Sequence, residues 1–236
     1  MAETAIRLNE LRFRWSPDQP LVLDIPELTI AQGERVFLRG PSGSGKTTLL
    51  NLLGGVMQPQ SGSLEIADVD LTTISGARRD AFRADQIGFI FQQFNLVPYL
   101  NLIENVTLPC RFSKLRHARA TAEGPLETEA RRLLGQMQLD PGELSNRPVS
   151  TLSVGQQQRV AAARALIGAP DLIIADEPTS SLDADARIAF LGLLMHEVQQ
   201  RAGTLVFVSH DAGLADSFDR VIELAAINRA TLAEAA

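Results

Sequence analysis

The segment Gly40-Pro41-Ser42-Gly43-Ser44-Gly45-Lys46-Thr47 stands between the apolar run Val36–Leu38 and the helix-forming stretch Thr48–Leu53. That order demands a strand, a tight loop and a helix. Glycines at 40, 43 and 45 let the backbone curl so that successive N–H groups converge on one concavity. The helix that follows brings the positive end of its dipole to the same place. Lysine and threonine close the run, in the spacing G-x-x-x-x-G-K-[ST] of a P-loop. Such a cradle suits a chain of phosphates. Lys46 is expected to meet the β- and γ-phosphates, and the Thr47 hydroxyl to ligate Mg²⁺. Residues Gly40 to Thr48 form the expected ATP-binding segment.

The rest of the chain reads as α/β with a largely parallel sheet, because short apolar runs alternate with longer stretches of helical period. Strands are expected at Ile6–Phe13, Arg35–Arg39, Ile87–Phe91, Leu172–Ala175, Thr204–Ser209 and Arg220–Leu224. Leu172–Ala175 is apolar without alternation, as in a strand covered on both faces. Helices are expected at Gln156–Ile167, stopped by Gly168 and Pro170, and at Ala184–Arg201, with Ile188, Leu191, Met195 and Val198 on one face. Between Phe94 and Ala165 the strand signal disappears, and Leu126, Ala130, Leu133, Leu134 and Met137 trace an amphipathic helix. A helical subdomain at 93–165, inserted into an α/β core of residues 1–92 and 166–236, is the simplest organisation of one domain. Arg111–Gly124 has poor periodicity and reads as a solvated loop or helix end.

Composition narrows the function classes. Hydrophobic residues make up 45% and the formal net charge is −6, so a soluble fold is expected and general nucleic-acid binding is not. A single cysteine, Cys110, excludes an intrachain disulfide and suits a reducing compartment. It reads as a small buried or interface residue. Met1–Glu10 carries charges and no apolar stretch, so a secretory signal is not expected, and no apolar run is long enough to span a bilayer. Any membrane role then needs a partner.

The buried run Leu172–Ala175 ends in Asp176-Glu177, where open α/β sheets bind ligands. Asp176 is placed to hold a Mg²⁺ shell, and Glu177 to polarise a water for in-line attack on a γ-phosphate. A strand end meeting solvent would carry the same residues, and the P-loop decides for the catalytic reading.

Further segments carry a family resemblance. Leu152-Ser153-Val154-Gly155-Gln156 resembles the L-S-G-G-Q signature of ABC ATPases; Gln92, after Gly88–Phe91, resembles the Q-loop glutamine. Ser180-Ser181-Leu182-Asp183 resembles the D-loop, and Ser209-His210-Asp211 the switch-histidine segment. The motifs stand in the family's order from Ile6 to about Leu224. The resemblance implies a P-loop NTPase core with an N-terminal antiparallel β part and an inserted helical subdomain. It also implies an ATP- and Mg²⁺-dependent ATPase in which two copies pack head to tail. Ser153, Val154, Gly155 and Gln156 would then contact the ATP held by the other copy, and Asp183 would link the two sites. Gln92 would sense the γ-phosphate and the metal, completing a Mg²⁺ set with Thr47 and Asp176, and His210 would help hold the attacking water. An aromatic from the first strand stacks on adenine in this family; Trp15 aligns best and Phe13 is the rival. Asp183 also suits an N-cap for the helix from Ala184. His117 and His196 match no motif and read as polar-face residues. Val154 departs from the signature glycine, and a β-branched residue there would resist any positive φ.

The stretch Gly88 to Pro109 is similar to that of ATPases serving lipoprotein release and macrolide efflux, which act beneath a membrane permease. That implies a peripheral position on the cytoplasmic face of the inner or plasma membrane. Polar amino-acid importers share parts of the stretch. A soluble ABC ATPase acting on DNA or ribosomes, or a catalytically dead scaffold, is disfavoured by the single cassette and by the intact Lys46, Asp176, Glu177 and His210.

Overall fold

Alternation of buried and exposed side chains begins at the N-terminal strand and sets the first sheet. The computed structural model describes residues 3–140, 142 and 147–230. They form two compact units, one from the described parts of Met1–Arg83 and Thr204–Ala236, the other from Ala84–Gly203.

In the first unit the chain runs through β1 (Thr4–Phe13), β2 (Leu23–Ala31), β3 (Arg35–Arg39), α1 (Lys46–Leu53), β4 (Ser61–Ile66) and β5 (Val69–Asp70). Strands β1, β2, β4 and β5 make an antiparallel sheet in the order β2-β1-β4-β5. Ile6, Leu8, Leu11 and Phe13 of β1 and Ile25, Leu28 and Ile30 of β2 are buried, the period-2 pattern of a sheet with one covered face. Pairing is irregular near Glu10, which has φ 47°, with the β1–β4 register shifting between Asn9 and Arg12. There a Cβ on Gly62 would lie 2.3 Å from the Glu10 carbonyl oxygen, so the close approach requires glycine.

Helix α2 (Gly76–Gln86) leads into the second unit: β6 (Ile87–Ile90), α3 (Leu102–Thr107), α4 (Pro109–Phe112), α5 (Lys114–Ala120), α6 (Leu126–Gln136), α7 (Val154–Leu166), β7 (Leu172–Asp176) and α8 (Ala184–Gln200). β6 and β7 pair in parallel, from Ile87↔Leu172 to Ile90↔Ala175. Leu172, Ile173, Ile174 and Ala175 are all buried, as an apolar strand without alternation predicts. Between β6 and β7 the described residues form helices and no strand.

The chain returns to the first unit with β8 (Thr204–Val208), β9 (Arg220–Glu223) and α9 (Leu224–Ile227). Here β3 pairs in parallel with β8 on one side and β9 on the other. Phe37, Phe207 and Phe218 pack ring against ring, with centroids 5.1–6.3 Å apart.

Two expectations need correction. Arg111–Gly124 is not a solvated loop: it carries α5, whose Arg116 is almost fully buried. Its guanidinium donates to the carbonyls of Arg164 (3.2 Å), Ala165 (2.7 Å) and Ile167 (2.8 Å), capping the end of α7. Burial pushes its pKa down to about 10. Along α8, Leu191, Met195 and Val198 are buried as expected, but Ile188 is 65% exposed. The buried stripe instead begins at Phe190 and includes Glu197, paired with Arg132 at 3.1 Å.

Candidate functional site

The end of β3 delivers the glycine-rich loop. Gly43 and Gly45 adopt φ 77° and 96°, left-handed backbone that a side chain would oppose. Ser44 N–H donates to the Pro41 carbonyl at 3.2 Å, closing the turn. Gly45 is the N-cap of α1, and no side chain caps that helix. Its first-turn N–H groups therefore keep the anion-binding character of a helix start. A Cβ on Gly45 would press to 2.9 Å from Leu23 Cδ2, so the loop is seated on β2. Asn228 holds that seat: its side chain accepts from Asp24 N–H (2.8 Å) and donates to the Val22 carbonyl (3.0 Å).

Lys46 is buried, and its Nζ donates to the carbonyls of Gly40 (2.7 Å) and Pro41 (3.0 Å). The cation is thus held at the loop rather than in solvent. Thr47 is exposed and Thr48 buried. The Ser44 hydroxyl is buried and has no hydrogen-bond partner, a polar atom left for a ligand or water. Glycine geometry, an uncapped helix start, a held cation and an orphaned hydroxyl together fit a phosphate chain.

The first unit also carries His210 and Trp15. His210 is exposed just beyond β8, where the Ser209 hydroxyl accepts from Asp211 N–H at 3.1 Å. Trp15 is 61% exposed, with its ring edge-on to Phe13 at 5.2 Å. Phe13 is buried, so of the two aromatics only Trp15 presents a free ring.

The second unit holds Gln92, Ser153–Gln156, Asp176, Glu177 and Asp183. Asp176 ends β7, and Glu177 follows at φ 47°. Left-handed backbone at a non-glycine residue costs of order 1–3 kcal/mol and persists where the surroundings enforce it, often at functional sites. Ser153 N-caps α7 in a capping box: its hydroxyl accepts from Gln156 N–H (3.3 Å) while Gln156 Oε1 accepts from Ser153 N–H (2.9 Å). Neither Val154 nor Gly155 has positive φ, so the valine meets no backbone penalty. Its side chain is 49% exposed on the first turn. A Cβ on Gly155 would lie 3.7 Å from Leu182 Cδ2, which sets the signature beside the D-loop segment. Asp183 accepts from Ala186 N–H at 2.8 Å, the N-cap that its position predicted.

Sequence reasoning passed over one feature of this unit. Beyond the exposed Gln92, Phe94 and Asn95 take φ 59° and 49°, and the Arg164 guanidinium of α7 donates to both carbonyls. The only sign of it is an arginine in the alanine-rich run Ala161–Ala165. His117 and His196 are exposed and Cys110 is buried, as expected.

Among the described residues no group of three or more His, Cys, Asp or Glu side chains could hold a metal ion by itself. No helix among them is long and apolar enough to cross a membrane.

Comparison with known proteins gives these features a context. The ABC transporter family model matches residues 23–180. The chain is 41% identical over 204 residues to the lipoprotein-releasing system ATP-binding protein LolD of Syntrophotalea carbinolica, covering 86% of each. It is 41% identical over 208 residues to the macrolide export ATP-binding/permease protein MacB of Rhodopirellula baltica, covering 88% of this chain and 29% of that one. It also matches uncharacterized ABC transporter ATP-binding proteins of Mycobacterium tuberculosis at 42% identity over 198 residues, and spans only 57% of their length. A solved dimeric ATP-binding cassette in a post-hydrolysis state with ADP and Pi superposes with a TM-score of 0.81, at 36% identity, over 92% of this chain and 93% of that one. The anion cradle after β3 and the strained glutamate after β7 thus lie in a chain that belongs to the ABC transporter family.

Proposed function

We propose that this chain binds and hydrolyses ATP, pairs with a second copy around two nucleotides, and drives conformational change in a membrane permease. The loop after β3 carries the reading: two left-handed glycines and an uncapped α1 leave backbone N–H groups suited to phosphate oxygens. Residues Gly40 to Thr48 bind the phosphates, with Lys46 exchanging its carbonyl partners for β- and γ-oxygens. Trp15 offers its exposed ring to adenine.

The reading includes Mg²⁺, for which Thr47, Asp176 and Gln92 would each supply an oxygen and the phosphates the others, the sparse protein ligation usual for that ion. When bound, the ion neutralises charge on the β- and γ-phosphates. Glu177 accepts the proton of the attacking water, and His210 orients that water by hydrogen bonding. Ser153, Val154, Gly155 and Gln156 act on the nucleotide of the second copy through hydroxyl, backbone N–H groups and the α7 dipole. Asp183, already fixed as an N-cap, is the link between the two sites. The dimeric cassette with ADP and Pi supports the pairing.

The division into a nucleotide core, residues 1–92 and 166–236, and an inserted helical segment, 93–165, belongs to the same reading. The relatives named for lipoprotein release and macrolide export support a permease of that type. The chain then sits on the cytoplasmic face of the membrane, held by that permease.

The test is Glu177→Gln. It should retain ATP but turn over at least about 100-fold more slowly, as loss of a general base predicts. With ATP it should run at twice the monomer mass in light scattering. Near wild-type turnover would remove Glu177 from its role.

A further inference from the structure

Helix α7 starts at the signature and, roughly three turns later, presents Arg164 to the chain beyond Gln92. There Arg164 Nη2 donates to the Phe94 carbonyl at 2.5 Å and Nη1 to the Asn95 carbonyl at 2.6 Å. Burial pushes its pKa down to about 10, yet the group remains a cation at neutral pH. A half-buried guanidinium spent on two neutral carbonyls calls for an explanation, because part of its hydration is given up without a formal counter-charge.

The turn it holds is itself unusual. Asn95 N–H donates to the Gln93 carbonyl at 2.6 Å across Phe94, and Phe94 N–H donates to the Phe91 carbonyl at 3.0 Å. Two consecutive non-glycine residues at φ 59° and 49° make the rare left-handed form of a tight turn. Asparagine tolerates this backbone; phenylalanine does not. Phe94 is nevertheless buried, so its ring and the arginine together fix the turn.

We propose that Arg164 is a positioning residue that ties the turn at Phe94–Asn95 to the signature helix, so that the Q-loop and the signature move as one body. The proposal rests on the ATPase reading. Its function is to keep Gln92 in register with Ser153–Gln156 whenever the helix shifts. α7 does not need Arg164 for its own placement: Arg116 caps its last carbonyls, and a Cβ on Gly88 would lie 2.3 Å from the Ala165 carbonyl oxygen, so β6 packs directly on that end. Loss of the clamp therefore frees the turn and leaves the helix seated.

Arg164→Lys and Asn95→Ala test this in the full chain. Lysine keeps the charge but replaces the planar fork, which meets each carbonyl with its own nitrogen, by a single ammonium of different reach; alanine makes the left-handed turn costlier without touching the guanidinium. Hydrogen exchange at the Phe94 and Asn95 amides should quicken in both variants, by about tenfold in Arg164→Lys. Turnover should fall at least about fivefold in Arg164→Lys and less in Asn95→Ala, with ATP affinity within about twofold of the parent. Unchanged exchange at these amides, turnover within twofold of the parent in Arg164→Lys, or ATP affinity lost in step with turnover would overturn the proposal. A wild-type chain that fails to hydrolyse MgATP refutes the ATPase reading instead, and the exchange result then judges the clamp separately.

Discussion

Val154 illustrates how a single position is judged by its backbone. A branched side chain in place of the signature glycine would be costly if the loop needed positive φ, but the residue is the first of α7 and its neighbour Ser153 caps the helix. Glycine there would gain nothing in conformation and would lose helix propensity, by up to about 1 kcal/mol. Val154→Gly should therefore lower thermal stability slightly, leave ATP affinity unchanged and alter turnover by less than about threefold. A collapse of activity in a steady-state assay would mean that the isopropyl group makes a contact the reaction needs. Glu177 is the opposite case. Its left-handed backbone has no sequence signature: an Asp-Glu pair after an apolar run suggests the chemistry proposed for it but not its strain.

Among the elements, α5 and α7 show why close approach decides stability more than composition does. Gly168, at φ 69°, lies against Arg116 so tightly that a Cβ would stand 2.5 Å from its carbonyl oxygen. Gly168→Ala should lower the unfolding free energy by at least about 2 kcal/mol in urea titration, through strain and overpacking together. Gly135, inside α6 with nothing near its absent side chain, should respond in the other sense, Ala stabilising by about 0.5–1 kcal/mol. Equal responses at the two sites would refute this account of the packing. The same elements show what a reader of the sequence could see. Runs of plain apolar character, such as Leu172–Ala175, announced themselves. β2 did not, because Pro26 interrupts it; the strand tolerates the proline because it is an edge that pairs only with β1. β4 was hidden by the turn-like Ser61-Gly62-Ser63 start, and α5 by the arginine it buries, since a charged residue seldom marks a core. Motif residues were legible because spacing survives without knowledge of packing. The Arg164 clamp was not, because its acceptors are backbone carbonyls that any residue could supply.

For the molecule as a whole, the proposed pairing would leave a mark on the surface. Ile188 and Val154 are large apolar side chains exposed in the second unit, on α8, which Asp183 caps, and on the first turn of α7. A cassette that closes on a second copy would remove such groups from water. Ile188→Asp, placed in the Glu177→Gln background, should abolish the ATP-dependent doubling of mass while leaving the ATP affinity of the single chain unchanged. Persistence of the doubled mass would exclude that helix face from the dimer. The lysine of the P-loop has a different consequence at this scale. Lys46 already donates to Gly40 and Pro41, so on the proposed function nucleotide entry would exchange these contacts rather than simply add new ones. Nucleotide affinity would then include the loss of these two carbonyl contacts. On the proposed function a departing product would hand the ammonium back to those carbonyls, so the emptied loop would have a ready-made resting state and each cycle would restart without refolding its most demanding turn.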